Sequence, residues 1–313
     1  MLPEEFFRVG LFIAAVGSVF GVCAATLGGR LAAAARGLPA PPLTRLRRSF
    51  LVLGALGALC VLYGRLVEPF WPEVVTVRLE SPKLKPGSGP LRLVLLSDLH
   101  CDPSPRLEKR LPQIVAWLKP HAIVFAGDAL NSPEGAAIFK ELMKKLSALA
   151  PTYAVWGNCD AYYRPDIDMY EGTGVKLLGE RPVKIETGNG RIWLVGVNFG
   201  KEQFLEKNIR QAPADELLAL VYHLPDLIPE GIQLGADLYL AGHTHGGQVA
   251  LPFYGALVTL SRFGKRWEAG LYKEGSTWIY VNRGIGMEGG SAPRVRFWAR
   301  PEVTLIELGP VTK

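Results

Sequence analysis

Cysteine is scarce in this chain, and charged residues are modest in number. Four cysteines in 313 residues are too few for the framework of a disulfide-stapled domain. Charged residues make up 20% and hydrophobic residues 49% of the sequence, which excludes a disordered or collagen-like chain. The sequence also has no internal repeat and no low-complexity tract. Its length predicts one large globular domain or two small ones.

The net positive charge lies mostly at the N-terminus. The formal net charge is +6, but residues 1–70 hold seven arginines, no lysine and only three acidic residues. The rest of the chain is therefore nearly neutral. A protein that binds nucleic acid usually presents a basic face to the phosphate backbone. We therefore do not expect nucleic acid to be a partner.

Two uncharged runs lie within the first 70 residues. Residues 9–29 contain no charge and have the length that a helix needs to cross about 30 Å of hydrocarbon. Residues 49–64 form a shorter run, which spans only if Arg65 extends its charged end to the interface or if Leu66 and Val67 are included. We predict a membrane anchor of one or two transmembrane helices. The alternatives are buried core helices or, for the second run, the core of a signal sequence.

The segment between the two runs carries five arginines and no acidic residue: Arg30, Arg36, Arg45, Arg47 and Arg48. The positive-inside tendency predicts that this loop is cytoplasmic, so the remainder of the chain lies on the extracytoplasmic side. The pair Arg47-Arg48 before an apolar run also resembles a twin-arginine export signal, which gives the same side. The cytoplasmic face is the alternative.

Apolar runs alternate with amphipathic segments after residue 90. Residues 91–97 and 122–126 are nearly continuous apolar runs, typical of strands buried on both faces. Residues 106–118 and 133–149 have apolar side chains at helical spacing. The pattern predicts an α/β fold in which two central sheets pack together and helices flank them.

The chain divides into three segments by composition. Residues 1–70 are the predicted anchor, and residues 91–309 are the predicted soluble domain. Residues 71–90 are rich in proline and glycine, which predicts a linker, with a first strand at 74–79.

Polar residues recur where the predicted strands end. Loops at the carboxyl ends of strands converge on one crevice in α/β sheets, so these residues are candidates for a common site. They are Asp98, His100, Asp128, Asn158, Cys159, Asp160, His223, His243 and His245.

Carboxylate, amide and imidazole groups in this arrangement suit Mn²⁺, Fe²⁺ or Zn²⁺. Asp98 and His100 are two residues apart and can hold a common ion, and His243 and His245 have the same spacing. Two such ions can clamp a phosphoryl group. Taken singly, His223 could equally be a hydrogen-bonded histidine of the core instead of a metal ligand, and Asp98 could equally be the cap of a turn. The joint occurrence of these residues favours a pair of divalent metal ions.

These blocks resemble those of the calcineurin-like metallophosphoesterases. The resemblance covers roughly residues 91–308, and the Gly242–Gln248 stretch is similar to a membrane-associated bacterial branch that includes enzymes compared with UDP-2,3-diacylglucosamine pyrophosphate hydrolases. It implies an α/β/β/α sandwich, a location in a bacterial cell membrane, and hydrolysis of a phosphoric ester or pyrophosphate by metal-activated water.

The resemblance also implies residue roles. One ion takes Asp98, His100 and His245, and the other takes Asn158, His223 and His243. Asp128 bridges the two ions. Asn158 and Arg283 are further candidates for substrate binding, although a surface ion pair explains Arg283 equally well.

Cys159 is the departure from the family pattern. Many relatives have histidine there, which donates a proton near the leaving group and is oriented by the following aspartate. A neutral thiol does this poorly, so Cys159 and Asp160 are weak candidates for a catalytic acid, and Asp160 is as readily a residue that holds the loop. We therefore expect phosphodiesters or pyrophosphates rather than monoesters as substrates. For Cys101 and Cys159, the sequence leaves two alternatives, a disulfide between them or two free thiols.

Three function classes compete. The leading prediction is a membrane-anchored phosphoesterase for a phosphorylated small molecule or lipid. A nuclease or cyclic-nucleotide phosphodiesterase is the alternative, and a scaffold of the same fold without catalysis ranks lowest because all seven ligand positions hold competent residues.

Overall fold

The computed structural model describes residues 1–163, 165–289 and 294–311. It begins with two long helices, α1 (Pro3–Ala35) and α2 (Arg45–Leu66). The helices run antiparallel, because Cys23 lies against Gly54 while Phe20, one turn earlier in α1, lies against Gly57, one turn later in α2. Both helices are long and apolar enough to cross a membrane, and only 6% and 11% of their most apolar windows are buried. Such exposure does not fit the alternative of buried core helices.

Fourteen strands follow in the described part of the chain. They are β1 (Glu73–Ser81), β2 (Leu91–Leu96), β3 (Ala122–Phe125), β4 (Thr152–Ala154), β5 (Lys176–Leu177), β6 (Val183–Thr187), β7 (Gly190–Val197), β8 (Leu218–Tyr222), β9 (Leu238–Ala241), β10 (Ala250–Leu251), β11 (Gly255–Ala256), β12 (Gly270–Glu274), β13 (Thr277–Val281) and β14 (Glu302–Pro310).

The strands form two six-stranded sheets and one small hairpin. The first sheet has the order β1-β14-β2-β3-β4-β5, and the second has the order β12-β13-β9-β8-β7-β6. Within the first sheet, β2, β3, β4 and β5 are parallel to one another, and β2 is antiparallel to its other neighbour, β14. Within the second, β7, β8, β9 and β13 are parallel. The small hairpin pairs β10 with β11.

The two sheets pack face to face. Leu93 and Leu95 of β2 share one buried cluster with Ala219 and Val221 of β8. Alternate residues of a strand point to opposite faces, so the intervening Val94 lies in a different cluster, on the outer side of the first sheet.

Helices cover both outer faces. The shorter helices are α3 (Leu111–Leu118), α4 (Ala136–Leu149), α5 (Asn158–Tyr163), α6 (Leu205–Ile209) and α7 (Ile228–Gln233). Val115 of α3 and Phe139 of α4 pack on the first sheet. Ile209 of α6 and Ile228 of α7 pack on the second. The predicted sandwich of two central sheets between helices is confirmed.

Two local predictions differ from the structure. The strand predicted at 74–79 is longer than expected, because β1 runs from Glu73 to Ser81 and pairs with β14 along its whole length. This part of the predicted linker therefore belongs to the first sheet, because its partner strand lies more than 200 residues away and supplies the missing neighbour. The helix predicted over 106–118 begins only at Leu111. The division of the chain into anchor and soluble domain stays a prediction.

Candidate metal centre

Five loops converge at one edge of the packed sheets. Three of them follow the parallel strands β2, β3 and β4, and two follow the parallel strands β8 and β9. The carboxyl ends of parallel strands meet at the same edge of a sheet. The backbone N–H of His243, from the second sheet, lies 3.1 Å from each carboxylate oxygen of Asp98, from the first. The two sets of loops are thus in direct contact.

One group of possible ligands consists of Asp98, His100 and His245. The Nε2 atom of His245 lies 3.4 Å from Oδ1 of Asp98 and 3.2 Å from Nε2 of His100. All three side chains are buried, and their ligand atoms lie within 4.8 Å of one another. These are the residues predicted for the first ion.

A second group consists of Asp128, His223 and His243, whose ligand atoms are equally close. The Nε2 atom of His223 lies 3.2 Å from Oδ2 of Asp128. The same Asp128 oxygen lies 3.6 Å from Nε2 of His100, so Asp128 stands between the two groups.

Hydrogen bonds indicate which ring nitrogens are free to bind a cation. The Nδ1 atom of His223 lies 2.6 Å from the carbonyl oxygen of Ala126, which can only accept a proton. This contact leaves the lone pair of His223 on Nε2. The Nε2 atom of His243 similarly lies 3.4 Å from the carbonyl oxygen of Leu260, which leaves Nδ1 for a ligand.

Buried polar atoms without partners show that the site fits a cation. The Nε2 atom of His223 and the Oδ1 atom of Asn158 are both buried and accept no hydrogen bond within the described residues. When His223 is neutral, with its proton on Nδ1, its Nε2 lone pair faces the Asp128 carboxylate at 3.2 Å. Two acceptors facing each other in a buried site are unfavourable unless a positive charge lies between them. The donor set of imidazole, carboxylate and amide oxygen is typical of Mn²⁺, Fe²⁺ or Zn²⁺.

The site carries backbone strain. Left-handed φ values are uncommon for residues other than glycine, and each costs about 1–3 kcal/mol. Five candidate ligands nevertheless adopt them: Asp98 (50°), His100 (42°), Asp128 (59°), His243 (71°) and His245 (53°). The surrounding fold therefore holds these side chains in position against a local preference.

The electrostatics of the site favour positive charge. Burial favours the neutral imidazole of His223, yet the carboxylates of Asp128 and Asp98 outweigh it and raise its pKa to about 10. Burial alone would raise the pKa of Asp98, but His245 and His223 lower it below its ordinary value. Burial would also raise the pKa of Asp128, but His223 lowers it below its ordinary value. Both aspartates are thus anionic, and they attract a proton or a cation to the space between them.

Cys159 and Asp160 lie beside the centre in different roles. Burial and the carboxylate of Asp128 raise the pKa of the Cys159 thiol far above its ordinary value, so it is neutral. The Asp160 carboxylate accepts hydrogen bonds from the backbone of Asp128, Ala129 and Gly157. That pattern is typical of a residue that holds the loop. Cys101 and Cys159 are both free thiols.

Arg283 is occupied by other partners. Its Nε donates to Glu302 at 2.5 Å and its Nη2 to Glu73 at 2.7 Å. These contacts match the ion-pair interpretation of this residue rather than a substrate contact. Asn158 follows β4 as the first residue of α5, and its Oδ1 is buried without a hydrogen-bond partner among the described residues.

Sequence reasoning missed Arg296, whose side chain is fully buried. Its Nη2 lies 3.3 Å from Nδ1 of His245, and other guanidinium nitrogens donate to the carbonyls of Gly286 and Ala299. Arg296 therefore lies against the ring of a candidate ligand, beside Nδ1 and not beside the Nε2 atom that faces Asp98. It stands in an arginine-rich stretch with no strand pattern, so no local signal marked it.

Comparison with known proteins agrees with this geometry. The family model of calcineurin-like phosphoesterases matches residues 91–247, the stretch that holds all seven candidate ligands. The chain belongs to the calcineurin-like phosphoesterase family. It is 31% identical over 285 residues to the uncharacterized metallophosphoesterase YkuE of Bacillus subtilis, covering 84% of this chain and 97% of that protein.

Two further relatives share much of the chain. The phosphodiesterase YaeI of Escherichia coli is 31% identical over 258 residues, covering 79% of this chain and 92% of its own length. A transmembrane protein with metallophosphoesterase domain from Bos taurus is 31% identical to this chain over 264 residues. The match covers 76% of this chain and 57% of the Bos taurus protein.

This family member is a metal-dependent phosphoesterase. Calcineurin-like phosphoesterases use two divalent metal ions, and the two ligand groups of this chain are able to hold them. The predicted enzyme class and cofactors are thus confirmed. The two apolar helices and the transmembrane relatives indicate association with a membrane.

Proposed function

We propose that this chain is a membrane-anchored phosphoesterase that hydrolyses a phosphodiester or pyrophosphate bond, with a lipid-linked phosphate as its substrate class. The observation that carries the proposal is the pair of ligand groups that share Asp128. In this proposal Asp98, His100 and His245 hold one divalent ion, and Asn158, His223 and His243 hold the other, with Asp128 between them.

The side chains around the ions have distinct tasks. The backbone N–H of His243 orients Asp98, and the carbonyls of Ala126 and Leu260 orient the rings of His223 and His243. When bound, two divalent ions neutralise charge on the phosphoryl oxygens and lower the pKa of water. Asp160 keeps the loops after β3 and β4 together through its three backbone contacts.

The neutral thiol of Cys159 supports the preference for diesters and pyrophosphates. A group that donates a proton to the leaving oxygen needs a pKa near the working pH, and the pKa of Cys159 is raised far above it. Substrates with leaving groups that need little protonation are therefore favoured over alkyl monoesters.

The anchor supports a substrate at the membrane. The start of α1 and the end of α2 both contact loops that adjoin the candidate ligands: Thr259 bonds Glu5, and Arg296 bonds Gly64. A lipid-linked phosphate is therefore available at a short distance from the centre.

The side of the membrane decides which lipid is available. The arginine-rich loop predicts an extracytoplasmic domain, whereas a nucleotide-linked lipid such as UDP-2,3-diacylglucosamine belongs to the cytoplasmic side. A reporter fused after Lys313, active on only one side of the membrane, distinguishes them. A cytoplasmic signal would favour the nucleotide-linked substrate, and an extracytoplasmic signal would exclude it.

The activity test uses the full chain in detergent micelles, loaded with Mn²⁺. We expect hydrolysis of bis(p-nitrophenyl) phosphate and of a nucleotide pyrophosphate to exceed that of p-nitrophenyl phosphate, and Asp128→Asn to abolish all three. Metal-loaded protein that hydrolyses none of these compounds would contradict the proposal. Salt-sensitive cleavage of DNA at a higher rate would favour the nuclease instead.

A further inference from the structure

Two buried carboxylates fix the helical hairpin to the domain. Glu5, in the first turn of α1, accepts hydrogen bonds from the backbone N–H and the hydroxyl of Thr259 at 2.8 and 2.9 Å. Glu68, just after α2, accepts from the backbone N–H groups of Trp298 and Ala299 at 3.0 and 2.6 Å. Both glutamates are only 1% exposed. The hairpin is therefore docked at both of its domain-side ends, and it does not hang on a free tether.

These contacts set the height of the domain relative to the hydrocarbon. Glu5 lies four residues before the uncharged run that begins at Val9, which is about 6 Å along a helix. Gly64, the last residue of the second run, accepts a hydrogen bond from the backbone of Arg296. The loops that hold Thr259 and Trp298 thus lie at the level where the apolar spans end.

The β10–β11 hairpin is bound to both docked regions. Ala250 of β10 bonds the carbonyl of Phe297, whose ring contacts Tyr63 of α2 edge to face at 6.2 Å. Lys265 bonds the carbonyls of Tyr254 and Ala256. A label on the β10–β11 hairpin therefore reports how deep the loops that hold Thr259 and Trp298 lie relative to the bilayer.

Exposed apolar side chains are grouped here. Phe253 at the tip of the hairpin is fully exposed, Trp298 is 62% exposed, and Tyr254 and Leu260 are each more than two-fifths exposed. We call these four residues the apolar rim. Phe253, Leu260 and Trp298 also have left-handed φ values of 66°, 57° and 58°. The fold thus displays bulky apolar residues to the outside in a costly conformation.

We propose that the apolar rim inserts into the interfacial zone of the same bilayer that holds the hairpin. Tryptophan and tyrosine are enriched in that zone because their rings are apolar while their polar edges can stay hydrated, and phenylalanine and leucine enter it by burying apolar area. The carbonyl of Leu260 lies 3.4 Å from His243, so the rim adjoins the metal centre. The centre then opens at the level of lipid headgroups. This inference rests on the proposed membrane anchoring, but not on catalysis.

The test is quenching of a fluorescent label by lipids brominated along the acyl chain. The full-length protein carries Cys60→Ser, because the other three cysteines are buried, and one NBD-labelled cysteine at Phe253→Cys. It is reconstituted into phosphatidylcholine vesicles. We expect blue-shifted emission and a large loss of intensity on going from plain to brominated lipid.

Two matched labels make the result decisive. Leu177→Cys lies on β5, at the sheet edge opposite β1, and is 44% exposed; its label should not be quenched. Leu56→Cys lies in the middle of α2 and is 53% exposed; its label reports insertion of the anchor. If the Leu56 label is quenched but the Phe253 label is not, the helical hairpin spans the bilayer and the proposed insertion of the apolar rim is wrong. If the Leu56 label is not quenched, both the membrane anchoring and the insertion of the apolar rim are wrong.

Discussion

The two sheets of this protein contribute unlike ligands to the candidate centre. The loops of the first sheet provide Asp98, His100, Asp128 and Asn158, so most of its donor atoms are oxygens. The loops of the second provide His223, His243 and His245, which offer only nitrogens.

The difference shows that neither half of the fold makes a site alone. The carboxylates of the first sheet would repel each other without a cation, and the imidazoles of the second would lack a charged partner. In the packed structure they approach within 3.2 to 3.7 Å. The hydrophobic contact between the sheets therefore creates the centre, and variants on either side should have unequal consequences.

The largest effect is expected at the shared carboxylate. Asp128→Asn should lose most of both ions, whereas His243→Asn should lose mainly one. Changing even a partner behind a metal ligand costs about 10–100-fold in affinity or activity, so we expect Asp128→Asn to lower diester hydrolysis by more than about a hundredfold. Elemental analysis of metal per chain, together with kcat/KM, measures both.

The surface variant Glu206→Gln serves as the control for Asp128→Asn, since its exposed ion pair with Arg210 contributes little. Equal metal loss in Asp128→Asn and His243→Asn would show that Asp128 is not shared between the ions.

A variant at Gly242 tests the close contact between the loop after β9, in the second sheet, and the loop after β2, in the first. A Cβ atom at Gly242 would lie 2.6 Å from Cβ of Ser97 and would also overlap the Asp98 carboxylate. Gly242→Ala should therefore displace Asp98, with a loss of unfolding free energy of about 1–3 kcal/mol and lower metal content. Gly309→Ala, which has nothing within 4 Å, should change neither. Unchanged metal content in Gly242→Ala would disprove the tight contact.

A variant at Cys159, in a segment that follows a strand of the first sheet, tests whether this position can donate a proton to the leaving group. Cys159→His should raise monoesterase activity relative to diesterase activity, because an imidazole can donate a proton to the leaving group and a thiol of raised pKa cannot. General acid catalysis is typically worth at least about a hundredfold, and an imperfectly placed ring should give a smaller gain. Rates with p-nitrophenyl phosphate and its diester give the ratio. An unchanged ratio would refute this role for the position.

The smallest effect is expected at the docked hairpin. Replacing Glu5 or Glu68 with glutamine removes a charged acceptor of two hydrogen bonds, which should cost about 1–3 kcal/mol of docking free energy. Limited proteolysis between hairpin and domain should become faster, while metal content stays near normal. Glu4→Gln, whose side chain is 78% exposed, should leave the cleavage rate unchanged. Equal cleavage rates in all three variants would show that the buried carboxylates do not fix the hairpin.

Short-range pattern was enough to locate most buried strands and to single out the polar residues at their ends. The predicted strand at 91–97 exceeds β2 by one residue, and the predicted strand at 122–126 exceeds β3 by one residue. Side-chain periodicity and burial are properties of neighbouring residues, so a sequence displays them directly. The same holds for the ligand types, because polar residues at the ends of apolar runs are unusual and stand out.

Only the tertiary structure decided the features that join distant residues. β1 acquires its place in the sheet from β14, Arg296 reaches His245 across 51 positions, and Glu5 meets Thr259 across 254. The segments α5, α6 and α7 are too short to show a helical period. Such contacts depend on how the two sheets and the hairpin pack, and packing is a property of the whole chain that no local window contains.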